Sequence, residues 1–161
     1  MKRRGRCRVV VVFMAMTPTL AIVALTFVEP TLTALMLIRG FQGYPSHSAW
    51  LRYDAISPTV RASAVAAEDV GFCSHPLGID LPAIRRQIEV WKSGGRPTGA
   101  STIAMQTART LFLWPNRNVL RKALELWIAP QLALLWSRSR LLEIYLNIAE
   151  FGPGLYGVEA A

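Results

Sequence analysis

Twenty consecutive residues, Val9 to Val28, carry no charge, and that run constrains everything else the chain can do. It is about as long as a helix must be to cross the hydrocarbon core of a bilayer. Pro18 lies inside it and would kink such a helix without forbidding it, because in lipid the freed backbone groups are satisfied locally. Lys2, Arg3, Arg4, Arg6 and Arg8 precede the run, and Glu29 follows it directly. By the positive-inside rule, residues 1–8 read as a cytoplasmic basic tail, 9–28 as a single transmembrane anchor, and 29–161 as a domain on the outer side. A cleaved signal peptide is the rival reading. Its apolar core is normally only about 7–15 residues with an A-x-A-like site, and Ala24-Leu25-Thr26 is a poor fit, so the pattern favours an uncleaved anchor.

The basic tail also explains most of the charge. Of a net charge of +8 over 161 residues, five positive charges belong to that tail, and the remainder is ordinary for a small domain. A nucleic-acid partner would call for basic side chains interleaved with aromatics along one face, and no such pattern exists. Cys7 and Cys73 fall on opposite sides of the expected membrane and cannot pair. No Cys or His cluster surrounds either of them, so no residue is assigned as a metal ligand. His47 and His75 stand isolated and read as packing or capping residues.

Beyond the anchor the patterning is helical. Leu32 to Ile38 is too short to span a membrane and reads as a core helix or a surface resting on the bilayer. Gly40 to Pro58 is loop, leading into a helix near Val60 to Ala67. Leu81 to Trp91 alternates Ile84, Ile88 and Trp91 with Arg85, Arg86 and Glu89, an amphipathic pattern. Three further helices are expected. One is capped by Ser101 or Thr102 and runs to about Leu113. Another starts at Asn118 and runs toward Trp136 with a kink at Pro130. The last starts at Ser137 or Ser139 and runs to about Ile148. No strand alternation is evident, so the outer part reads as mainly α.

Helical spacing gathers polar side chains into stripes: Thr102, Gln106 and Arg109 on one helix, Arg121 and Glu125 on the next, Arg140, Glu143 and Asn147 on the third. Each stripe alone is adequately explained as a solvated face, with Arg121–Glu125 a surface ion pair worth a few tenths of a kcal/mol. Glu68-Asp69 at the end of the apolar stretch Ala62 to Ala67 is different. A carboxylate there, beside Phe72, is placed for partial desolvation and for proton transfer.

The strings themselves carry a resemblance. Glu68-Asp69-Val70-Gly71-Phe72-Cys73-Ser74-His75-Pro76-Leu77-Gly78-Ile79-Asp80 resembles the ED-x-x-F-x-x-H-x-G-x-D signature of family 51 glycosyltransferases, the peptidoglycan polymerases. Gly99 to Arg109 is similar to that family's G-x-S-T-I-x-x-Q motif, Arg121 to Glu125 to its R-K-x-x-E motif, and Arg140 to Asn147 to its fourth. Gly154 to Ala161 begins the fifth. Five ordered matches are far more specific than any one of them. The resemblance implies a lysozyme-like helical domain, incomplete at its C-terminus because the chain stops inside the fifth motif. It implies the joining of lipid II to a growing glycan strand with inversion and release of undecaprenyl pyrophosphate at the bacterial inner membrane, alongside other cell-wall synthesis proteins. Glu68 takes the role of base and Glu125 that of second functional carboxylate. Arg109 and Arg117 receive the pyrophosphate, with Arg121 or Lys122 as helpers, and Ser101 and Gln106 hold sugar or phosphate oxygens. Acidic residues beside a pyrophosphate leave room for a divalent cation such as Mg2+.

The sequence departs from the pattern in two informative places. Pro76 and Leu77 stand where the family has one residue, an insertion expected to disturb the loop after Glu68. Arg109 stands where Lys is usual, which keeps the charge but presents a wider, planar fork. Two other readings stay open: a lytic enzyme of the same architecture, since one Glu can act as general acid in glycoside scission, and an inactive membrane fragment of the same family.

Overall fold

The computed structural model describes residues 17–97 and 99–161. An opening helix α1, described over 17–25, is followed by α2 (Ala34–Phe41), α3 (Pro58–Glu68), α4 (Leu81–Lys92), α5 (Ile103–Phe112), α6 (Val119–Leu135) and α7 (Arg138–Ile148). A 3-10 turn at Tyr53–Ala55 lies between α2 and α3. The expected mainly α architecture is what forms.

Local chemistry sets most of the helix starts. Thr33, Asp80, Thr102, Asn118 and Ser137 each accept a hydrogen bond from the backbone N–H three residues on. These are the short polar side chains that satisfy the orphan donors of a first turn. Between the alternatives the sequence left open, Thr102 and Ser137 are the caps. Helix α6 continues through Pro130 to Leu135.

Helix α5 is the centre of the domain, packed by α2, α6 and α7. Seven of its ten residues are buried, as expected for a helix covered nearly all round. Only Gln106, Arg109 and Phe112 keep partial exposure. Ile103, Met105, Ile128, Leu132, Leu141, Ile144 and Ile148 form the fully enclosed part of the core.

A small sheet is the element that patterning did not anticipate. His47–Ser48 (β1), Glu150–Gly152 (β2) and Leu155–Tyr156 (β3) pair in the order β1-β3-β2, with β1 parallel and β2 antiparallel to β3. Strands of two and three residues are too short to display an alternating pattern.

Of the expected membrane span, residues 9–16 lie outside the described residues. Its described part is helical to residue 25 and then turns. No helix of the described residues is long and apolar enough to cross a membrane. Helix α1 is docked on the domain. Ile22 is fully buried, the Trp136 indole donates to the Ile22 carbonyl at 2.9 Å, and Arg140 donates to the carbonyls of Leu25 (2.9 Å) and Val28 (2.7 Å). Burying one isoleucine in this way contributes about 1.5–3 kcal/mol.

Candidate active site

The last residue of α3, Glu68, is exposed, while the next, Asp69, is buried. Asp69 accepts from the Ile103 N–H at 3.1 Å, so its carboxylate sits at the N-terminus of α5, where negative charge is favoured. That contact fixes the end of α3 to the start of α5. Gln106, one turn further along α5, donates from Nε2 to Glu68 Oε2 at 2.8 Å. Burial pushes the Asp69 carboxyl up, and the Ile103 N–H and His75 oppose this.

His75 is not isolated. Its Nδ1 lies 3.3 Å from Asp69 Oδ1 and its Nε2 3.8 Å from Asp80 Oδ2, so it sits between the residue after the candidate base and the residue that caps α4. Pro76 and Leu77 are both exposed in a turn, and Gly78 beyond them is buried. Gly78 has φ +62°, accepts from Thr102 Oγ1 at 2.6 Å, and faces Ala104 so closely that a Cβ would lie 2.7 Å from the alanine methyl. Pro76 and Leu77 thus lie on the solvent side of the loop.

Phe72 does not flank Glu68 as the sequence suggested. It is buried in the core and lines neither cavity at the carboxylate. Two cavities meet at Glu68 and Gln106. One, about 580 Å3, adds Arg109, Trp114, Arg117, Tyr145 and Glu150. The other, about 410 Å3, adds Arg86, Ser101, Thr102 and Asp80. Tyr145 reaches toward Gln106 Oε1 at 3.5 Å; burial, reinforced by the Glu68 carboxylate, pushes its phenol up to about 12.

The third motif folds underneath. Arg121 and Glu125 are both buried and paired, which overturns their reading as a surface ion pair. Arg121 Nε also donates to the Asn116 carbonyl at 2.7 Å, beside Arg117. Lys122 Nζ donates to Ser101 Oγ at 2.8 Å and lies 3.2 Å from Glu125 Oε2. Burial, with Arg121 and Arg109 nearby, lowers the Lys122 ammonium to about 8. Burial likewise lowers Arg109, with Arg117 adding to it. So Glu68, Gln106, Arg109 and Arg117 share one cavity and Ser101 the adjoining one, while Arg121, Lys122 and Glu125 line neither and act from beneath. Arg140, Glu143 and Asn147 serve the scaffold: Glu143 accepts from Tyr53 N–H, and Asn147 exchanges two hydrogen bonds with the Leu51 backbone. Sequence reasoning gave Asp69, His75 and Tyr145 no role in the site, although all three sit inside the motif strings.

A family profile described as Transglycosylase matches residues 36–161. The chain belongs to the transglycosylase family. Proteins named biosynthetic peptidoglycan transglycosylase are similar along most of it. That of Caulobacter vibrioides is 40% identical over 144 residues, covering 89% of this chain and 62% of its own. That of Xanthomonas campestris pv. campestris is 41% identical over 154 residues, covering 91% and 62%. That of Rhodospirillum centenum is 45% identical over 140 residues, covering 86% and 60%. The chain thus spans about three fifths of the length of these curated transglycosylase relatives.

Proposed function

We propose that this transglycosylase polymerises lipid II into peptidoglycan glycan strands, with Glu68 as the base. The observation that carries the proposal is the placement of Glu68 at the junction of two cavities, one lined by Arg109 and Arg117 and the other by Ser101 and Arg86. Inversion requires the acceptor hydroxyl to attack the face of the sugar opposite the departing pyrophosphate. A carboxylate shared by two cavities meets that demand. Glu68 takes the proton of the acceptor 4-hydroxyl, the acceptor oxygen so freed bonds to the donor anomeric carbon, and the bond from that carbon to the pyrophosphate oxygen breaks with its electron pair passing to the departing pyrophosphate. Gln106 holds the carboxylate in place. Arg109 and Arg117 receive the developing charge on the departing pyrophosphate as fixed cations. Glu125 keeps Arg121 and Lys122 in position, and Lys122 in turn holds Ser101.

Among the described residues no three His, Cys, Asp or Glu side chains cluster as a metal site, and Glu125 is already engaged by two cations. A divalent cation such as Mg2+ therefore enters this reading only as a companion of the pyrophosphate oxygens, and no step is assigned to it. The cation-lined cavity argues against a lytic reaction, which has no pyrophosphate to stabilise.

The charge-free run and its basic flank support a single-pass anchor in the inner membrane with the domain, on the lysozyme-like plan, outside. There the substrate's polyprenyl tail and the enzyme share one bilayer at high effective concentration. Polymerisation of fluorescent lipid II by the purified chain in detergent, beside Glu68→Gln, tests the reaction and its base. Lysozyme-digestible polymer from the wild type alone supports both. Equal activity removes Glu68, and digestion of finished wall by the wild type would replace the polymerase with a lytic enzyme.

A further inference from the structure

Helix α3 carries the candidate base and has no buried residue, an unusual position for an element on which catalysis depends. One face of it forms the wall of an open groove of about 600 Å3, with α7 opposite. Pro58, Ala62, Val65 and Ala66 contribute from α3, at the i, i+4, i+7, i+8 spacing that defines a helix face. Leu142 contributes from α7, and Phe72 lies between the two helices in sequence and in the groove lining. The groove runs along a helix axis and is floored by apolar side chains. Its α3 wall is low because Ala62 and Ala66 are small, which permits a second helix to approach at ordinary interhelical distance.

The charge at its edges is of one sign. Arg61 stacks on the Tyr53 ring at 4.2 Å, and Arg138 lies over Phe72 at 5.4 Å. Neither forms an ion pair among the described residues, and no carboxylate lines the groove. Arg138 donates from Nη2 to the His75 carbonyl, but its Nη1 is buried without a partner. Both arginines line the groove and no carboxylate does, so a carboxylate arriving there meets uncompensated positive charge.

We propose that the groove between α3 and α7 is the docking site of an amphipathic helix whose apolar stripe is flanked by carboxylates. The apolar floor supplies the area, the two arginines set the charge of the partner, and occupancy clamps α3. The binding does not depend on the chemistry assigned to Glu68.

The test uses the full chain in detergent and a fluorescein-labelled synthetic helix of about 18 residues, with Leu and Ala at i, i+3, i+4, i+7 and Glu on both borders. A twin carries Lys in place of Glu. Saturable anisotropy is expected for the Glu helix only. Ala62→Trp, which fills the groove, weakens it at least about tenfold, whereas Ser63→Trp, exposed and outside the lining, stays within about twofold. Arg61→Glu weakens the Glu helix and narrows its advantage over the Lys twin. Cys73, an exposed groove residue, is alkylated more slowly when the Glu helix is bound, in a Cys7→Ser background. Equal binding of both peptides, or binding indifferent to Ala62→Trp, overturns the proposal. So does self-association of the free chain, or adsorption to neutral phosphatidylcholine vesicles, that Ala62→Trp abolishes, since either would assign the groove to a second copy or to lipid.

Discussion

Lys122 connects protonation to the proposed chemistry. Its ammonium titrates at about 8 rather than 10.5 because it is desolvated among arginines. Below that value it is charged and holds Ser101; above it the cation is lost. The profile of kcat/KM, which reports the free enzyme, is therefore expected to fall as pH rises through about 8. Lys122→Arg should move that limb to higher pH, since a guanidinium keeps its proton. Stability runs the other way. Between about 8 and 10.5 the unfolded chain holds a proton that the folded chain has lost, so this group makes folding more favourable as pH rises through that window. Initial rates and urea midpoints across that range check both halves. Arg121 and Glu125 show where residue-level reading ended. Their i, i+4 spacing says that they share a face, but not that α5 covers it, because burial is decided by tertiary packing. Arg121→Leu leaves Glu125 with one cation instead of two and should cost about 3–5 kcal/mol in chemical denaturation. Arg121→Met with Glu125→Leu should recover most of that loss while abolishing polymer synthesis.

At the level of elements the chain was largely readable. Asn118, Ser137 and Thr102 are side chains whose chemistry suits a helix start, and they start helices because the interaction is local. The three-stranded sheet was not readable, since β1 and β3 have only two residues each and pair across more than a hundred positions. The loop from Asp69 to Asp80 lies between these cases. Its motif spacing signalled an extra residue; in the structure Pro76 and Leu77 face solvent, while Gly78 is held by Thr102, Ala104 and Ala133. This separates two substitutions. Leu77→Ala should change stability by less than about 0.5 kcal/mol. Gly78→Ala combines a positive φ with a Cβ placed against Ala104, and should cost about 1–3 kcal/mol. Because Gly78 precedes the cap of α4 and is bonded to the cap of α5, its substitution should also raise KM for lipid II, measurable in the same polymerisation assay.

The whole molecule is organised around where α1 ends. Arg140 ties the carbonyls of Leu25 and Val28 to α7 and pairs with Glu143, which in turn accepts from the Tyr53 backbone. The end of the apolar run is thereby fixed to the scaffold of the domain. On either side of that point Leu20, Val23, Phe27, Val28, Leu32, Leu37 and Phe41 are exposed, and Leu35, between the last of them, lines the cavity that holds Arg109 and Arg117. Apolar surface concentrated in one stretch of chain marks an interaction site. In the proposed setting that site is the bilayer surface holding the substrate's polyprenyl tail. Phe27 and Phe41, 84% and 91% exposed, contribute nothing to the core, so Phe27→Ser with Phe41→Ser should leave the melting temperature nearly unchanged. Polymerisation in detergent, where micelles deliver the substrate, should also be unaffected. In liposomes containing lipid II the same variant should lose several-fold in rate, because the cleft is no longer held at the depth of the pyrophosphate. A loss of equal size in both media would place the two phenylalanines in folding or catalysis and remove the membrane from their role.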